Sequence, residues 1–256
     1  MKTVVVGCCG FPTARGKYYS VFKTVELQNT FYDLPSVEWA LSIRREAPQG
    51  FSFAVKAWQV ITHPASSPTW RRMRRRPGGD PGGYGFLRPS RENIEALERT
   101  LEVAKALEAF IVVFQTPASM PFNQDAVKWV DEFFEQAVSM SSAVKYGWEP
   151  RGEWARSPVL EKVLSKHGVV HVTDLLRARP VFHGNMVYTR LHGLGSGEVN
   201  YSYKYTDRDL EGLALILKEM SFDTAYVMFN NVSMLNDAFR FKQVCGKVLE
   251  GMARVE

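Results

Sequence analysis

The sequence predicts a single (β/α)₈ barrel of the TIM type, spanning residues 1–256, and three observations carry that prediction. Short apolar runs rich in β-branched residues recur along the chain, helical patterns separate them, and the later runs turn polar at their carboxyl ends. The 256 residues suffice for one such barrel, an architecture of about 250 residues. Hydrophobic residues at 45% and charged residues at 23% lie near globular averages, which excludes a disordered or fibrous chain.

The predicted strands cover residues 3–7, 23–28, 51–56, 110–115, 144–149, 169–174, 187–192 and 225–230. The predicted helices cover 36–46, 91–107, 124–140, 158–166, 207–219 and 236–249, where apolar positions recur at helical spacing. The same alternation could build an open doubly wound sheet, but no glycine-rich phosphate fingerprint follows the first strand. The opening MKTVVVGCCGF is too short for a membrane span or a signal peptide and reads as a buried strand. Cys8, Cys9 and Cys245 form no zinc-type pair, and an odd set of thiols fits a reducing compartment, so the expected location is cytoplasmic.

Residues 64–89 break the rhythm. This stretch after the third strand packs prolines and glycines around Arg71, Arg72, Arg74, Arg75 and Arg76, and it is too long for an ordinary βα connection. A loop of that kind reads as a lid or binding loop at the carboxyl mouth of the barrel, with the arginines attracting a polyanion; the alternative is a solvated charge run. Net charge of +5 and a pI near 9.1 make the whole chain moderately basic.

In a barrel the carboxyl ends of the strands converge on one face. Strand two ends in Glu26, Gln28, Asn29 and Thr30, strand three in Lys56 with Thr62 and His63 beyond it, and strand four in Gln115 and Thr116. Strand five ends in Glu149 and Arg151, strand six in Thr173 and Asp174, strand seven in Arg190 and His192, and strand eight in Asn230 and Asn231. Thr30, Thr116, Thr173 and Asn231 serve equally well as local caps. Glu26, Lys56, Glu149, Arg190 and His192 do not, because a charge entering a barrel interior must be paired or must serve a ligand.

The motifs GFP at the amino terminus, FKTVELQNTFYDLPS at 22–36, PQGFSFAVKAWQVITHP at 48–64, VVFQTP at 112–117, WEPR at 148–151, YTRLHG at 188–193 and YVMFNN at 226–231 occur in order over nearly the whole chain. Together they resemble domain-of-unknown-function family 72, the YecE-like proteins. The resemblance implies a TIM barrel and supplies no reaction. It maps the family's pattern onto Glu26, Asn29, Thr30, Phe31 and Tyr32, its FAVKA and ITH elements onto Lys56 and His63, and its RLHG and FNN elements onto Arg190, His192, Asn230 and Asn231. The family's tryptophan-rich opening is replaced by Cys8, Cys9, Gly10 and Phe11, and its EFR element by Glu149, Pro150 and Arg151.

Three chemistries fit these residues. In the first, a phosphate-bearing ligand (nucleotide, nucleic acid or sugar phosphate) is held by Lys56, Arg151, Arg190 and the arginine loop, with Asn29, Tyr32, His63, Gln115, Asn230 and Asn231 as further ligand contacts. Glu26 or Glu149 then exchanges protons with His192 or His63, as in a hydrolase or isomerase. The opposing reading makes Glu149–Arg190 or Glu26–Lys56 mutually satisfied core ion pairs. In the second, Glu149, Asp174 and His192 hold a divalent metal, similar to xylose-isomerase-like and endonuclease IV-like barrels, although Asn230 stands where those families add a glutamate. In the third, a noncatalytic nucleic-acid binder uses Trp70 and Tyr84 as stacking partners beside the arginines, unless those rings pack the loop onto its own domain. No membrane partner is expected.

Overall fold

The computed structural model describes residues 1–256. In chain order, β1 (Lys2–Cys9) leads through α1 (Arg15–Tyr19) to β2 (Thr24–Leu27), and the one-turn α2 (Asn29–Tyr32) and α3 (Val37–Glu46) precede β3 (Ser52–Lys56). Next come α4 (Gln59–Thr62), two 3₁₀ turns (Pro68–Arg72 and Pro81–Gly83), α5 (Arg91–Ala106) and β4 (Ile111–Gln115). They are followed by α6 (Gln124–Met140), β5 (Lys145–Glu149), a third 3₁₀ turn (Gly152–Arg156), α7 (Leu160–His167), β6 (Val170–His171) and β7 (Met186–Leu191). The chain ends with α8 (Asp207–Glu219), β8 (Thr224–Phe229), α9 (Met234–Val248) and β9 (Ala253–Val255).

Every predicted strand and helix is present, with ends displaced by a residue or two, apart from the sixth strand. There only Val170 and His171 are paired. Asp174 opens a turn instead, its carboxylate accepting from the Leu176 amide and its carbonyl from the Arg177 and Ala178 amides. Thr173 regains a single parallel bridge, to Thr189.

The chain divides into two compact units. The first comprises Met1–Glu26, Ala47–Ser52 and Val170–Glu256; the second comprises Leu27–Glu46 and Phe53–Val169. In the first, β7, β8, β1 and β2 lie side by side, all parallel, with Arg190 opposite Met228, Gly7 opposite Met228 and Thr24, and Cys9 opposite Glu26. A Cβ on Gly7 would lie 2.6 Å from both the Thr24 side chain and its carbonyl oxygen, so β1 and β2 approach this closely only because the residue is glycine. The short β9 pairs with Lys2–Val4 of β1, upstream of the point where β2 begins its own pairing. Helix α8 starts at a capping box formed by Thr206 and Asp209, and its buried Leu210, Leu213 and Leu217 recur at helical spacing.

In the second unit β3, β4 and β5 are parallel neighbours, with Lys56 opposite Val113 and Gln115 opposite Glu149. Phe114 packs edge-on against Phe133 and Phe134 of α6, and Trp148 packs at a tilt against Trp154. Ser90 and Asn123 cap α5 and α6 through their side-chain oxygens.

The arginine-rich segment of this unit is ordered by specific contacts. Trp70 and Tyr84 are both buried, their rings 5.5 Å apart, and the Trp70 indole donates to the His63 carbonyl. They anchor the loop, which is the packing alternative that the sequence set beside a ligand-stacking role. Farther along, the amides of Gly85, Leu87 and Phe86 donate to the carbonyls of Val60, Ile61 and Thr62, supplying donors to the carbonyls that end α4. Phe86 and Leu87 adopt φ of 59° and 53°, and the Asn93 side chain clasps Gly85 through both its amide and its carbonyl. Gly85 itself has φ of 87°, and a methyl group there would collide with the backbone of His63 and Pro64.

Gly85→Ala is therefore expected to lower the unfolding free energy by about 2 kcal/mol or more. It should also accelerate tryptic cleavage at Arg71–Arg76. Unchanged stability and an unchanged cleavage rate would show that the loop is not held by this clasp.

Candidate functional site

Parallel pairing brings the carboxyl ends of neighbouring strands to one edge within each unit, and the predicted residues form two clusters there. In the first unit, Glu26 and Arg190 are both fully buried and form an ion pair of 2.9 Å, through Oε1 of the carboxylate. The Tyr188 hydroxyl donates to Oε2 at 2.8 Å. Tyr188 and Arg190 alternate along β7, so their side chains share one face of the strand, and His192 follows just past its end. Burial, reinforced by the Glu26 charge, raises the Tyr188 phenol well above its ordinary pKa, which keeps it a proton donor to the carboxylate.

His192 is buried against Asn230, with Nδ1 3.0 Å from the Asn230 side-chain nitrogen, and the edge of its ring meets Tyr201. Asn231 is committed to local structure: its amide donates to the Tyr203 carbonyl and to Asp237, each at 2.7 Å. Thr173 donates to the Ala178 carbonyl, and Asp174 lies 3.7 Å from the Arg177 guanidinium. The strand-end threonines of the second unit serve the same local ends. Thr30 donates to the Leu27 and Lys56 carbonyls, and Thr116 accepts from the Trp148 indole.

The second cluster has a different character. Lys56 reaches from the end of β3 to the end of β4, its Nζ 3.0 Å from Gln115 Oε1 and 4.0 Å from the centre of the Phe31 ring. Glu149, next to Gln115 on β5, accepts from Arg151 at 3.0 Å. Glu149 therefore has Arg151 as a salt-bridge partner, and Arg190 has Glu26. His63 packs edge-on against Phe31, and its Nδ1 lies 2.8 Å from the Thr62 hydroxyl. Burial lowers its pKa from 6.5 to about 3, and the positive charges of Lys56 and Arg151 push in the same direction. Tyr32 accepts from Arg72, whose guanidinium lies over its ring, whereas Asn29 is exposed on the surface of α2.

Sequence reasoning did not single out Tyr188, and it placed Phe31 only within the family's motif, with no role at the site. The period-two run Tyr188, Arg190, His192 carried the signal for the first, and the adjacency of Phe31 to Thr30 in the strand-two motif for the second. Within either unit, no three His, Cys, Asp or Glu side chains group as a metal site. Of the proposed metal ligands, Glu149 faces Arg151, Asp174 faces Arg177, and His192 faces Asn230. Burial drives the Cys8 thiol up to about 12 and Cys9 well above its ordinary value, so neither supplies a thiolate. Two surface cavities, of about 470 and 800 Å³, are lined by none of the predicted residues, which lie packed at the strand ends instead. No helix is long and apolar enough to cross a membrane.

Two outcomes test this geometry. Removing one partner of the Glu26–Arg190 pair leaves a buried charge uncompensated, so Glu26→Gln and Arg190→Met should each cost about 3–5 kcal/mol in urea unfolding. The double variant should lose less than the two singles combined, whereas strict additivity would show that the pair does not act as a unit. For His63 the folded pKa lies below that of the unfolded chain, so its stabilising contribution is fully present above about pH 6.5 and is lost as pH falls toward 3. Between about pH 7 and pH 5 the wild type should lose on the order of 1 kcal/mol more stability than His63→Gln. Parallel stability profiles for the two proteins would contradict the buried neutral imidazole.

The family model described as "Protein of unknown function DUF72" matches residues 14–253. No curated protein matches the sequence. Among solved structures, a DUF72 family protein from Enterococcus faecalis V583 is similar at a TM-score of 0.71 and 18% identity, over 97% of this chain and 98% of that one. A DUF72 family protein from Thermotoga maritima MSB8 is similar at a TM-score of 0.66 and 24% identity, over 94% and 98%. A xylose isomerase domain containing protein from Salmonella typhimurium LT2 is similar at a TM-score of 0.57 and 12% identity, over 97% of each chain. These likenesses, with eight parallel strands alternating with helices, establish the TIM-barrel fold that the sequence predicts. With its motifs and nearly its whole length matched, the chain belongs to the DUF72 family.

Proposed function

We propose that this protein binds a phosphate-bearing small ligand at the carboxyl ends of β3, β4 and β5, through Lys56 and Arg151 with Gln115 and His63 beside them. The observation that carries this reading is electrostatic. Two cations lie close enough to one buried imidazole to oppose its protonation, so the field at these strand ends is positive where burial makes charge interactions strong. A phosphate group suits that environment: it accepts from the guanidinium in a two-pronged geometry and from the ammonium as a point charge. Gln115, held against Lys56 through its side-chain oxygen, lines the same strand ends.

Glu149 is the one carboxylate of this cluster in direct contact with its cations, and its side chain retains 10% exposure, in contrast to the fully enclosed Glu26. It is the group best placed to exchange a proton with a ligand seated on Arg151. Glu26, with one oxygen on Arg190 and the other on Tyr188, is better suited to holding the first unit's strands in place.

Pyrophosphate should bind the purified protein and raise the pKa of His63, followed through its imidazole resonance by NMR, because an anion offsets the field of Lys56 and Arg151. Lys56→Gln and Arg151→Gln should each weaken that binding about tenfold or more. Absence of any His63 response at saturating pyrophosphate would overturn the assignment.

A further inference from the structure

We propose that the ordered loop carrying Arg71, Arg72, Arg74, Arg75 and Arg76 is a docking surface for a nucleic-acid strand. This surface is separate from the buried cluster and does not depend on it. Five guanidiniums within six consecutive residues are all exposed, and none of them forms an ion pair within the protein. The nearby carboxylate that could have neutralised them, Asp33, accepts instead from the backbone amides of Arg74 and Arg75. It fixes the path of the chain while leaving those two guanidiniums directed elsewhere. Arg72 is the exception among the five, donating to Tyr32 and lying over its ring.

The loop is also held in shape before any partner arrives. Trp70 is buried and bonded to the His63 carbonyl at one end, and the Gly85–Leu87 segment is bonded to α4 at the other. A row of arginines on a fixed backbone loses little conformational freedom on binding beyond that of the side chains themselves. A solvated charge run has no need of such anchoring.

The chemistry of the surface favours phosphodiesters over the other polyanions it could meet. All five cations are arginine, the side chain whose planar fork matches phosphate oxygens. No large apolar side chain is exposed between residues 64 and 89, so the loop lacks the wedge with which an interfacial segment enters a bilayer. The extended spacing of five cations suits a partner with a charge on every repeat, since neutralising each phosphate releases counterions and adds to affinity.

The test uses fluorescent single-stranded and duplex oligonucleotides with the full-length protein and with the variant carrying Arg71→Gln, Arg74→Gln, Arg75→Gln and Arg76→Gln. These substitutions remove no side-chain hydrogen bond or ion pair, so the variant should unfold at the wild-type temperature and give an unchanged His63 response to pyrophosphate. Wild-type binding should weaken steeply between about 50 and 200 mM salt, and for a single strand the variant should lower the slope of log K against log salt by about 3. Its affinity at low salt should fall at least tenfold. A variant that binds oligonucleotide with wild-type affinity and slope overturns the proposal. So does a wild type that binds anionic phospholipid vesicles or polyglutamate as tightly as oligonucleotide. Loss of the pyrophosphate response with oligonucleotide binding intact would count against the buried site alone.

Discussion

Parallel strands that end at a common edge create the electrostatic problem this chain has to solve. A side chain at the end of one strand lies next to its counterpart on the neighbouring strand, so charges placed there meet one another in a setting where water cannot screen them. Gln115 and Glu149 face each other across β4 and β5 for this reason, and Lys56 reaches Gln115 from β3. The two units answer that constraint differently.

The first unit answers it by closure. Glu26 places one oxygen on Arg190 and the other on Tyr188, and all three are enclosed. Such a pair fixes the alignment of β2 and β7 in preference to any slipped arrangement, because a slip would strand a charge in the interior. The second unit keeps a surplus of positive character around a neutral histidine, even though Glu149 partly balances Arg151. A buried site with net positive field gains by admitting an anion, which is why the proposed site is drawn at Lys56 and Arg151 although the sequence nominated both groups equally.

Much of this was legible in the sequence because it follows from periodicity. The apolar runs marked the eight strands β1 to β8, and the polar residues at their ends marked Lys56, Gln115, Glu149, Arg190 and His192. What escaped was short or long-range. One-turn helices such as α2 and α4 contain too few residues to show a period, and the three residues of β9 form a strand only because β1 leaves room beside Lys2–Val4. The sixth strand was overextended because Val172 and Thr173 favour strand conformation, while the Asp174 turn that stops it depends on amides two to four residues farther on. Which cation pairs with which carboxylate was not legible: Glu26 finds Arg190 on a strand far away in sequence, whereas Glu149 has Arg151 only two residues away. Trp70 and Tyr84 stand among arginine, proline and glycine, and sequence alone left stacking and packing open; an ordered loop of that composition needs an apolar anchor, and these two rings supply it.

The central claim is that the strand ends of the second unit hold phosphate. The most direct measurement is mass spectrometry of small molecules released from protein purified under non-denaturing conditions, with wild type compared against Lys56→Gln and Arg151→Gln. The account predicts a phosphate-bearing species released from the wild type and strongly depleted in both variants. A neutral or cationic molecule released in equal amounts from all three proteins would contradict it.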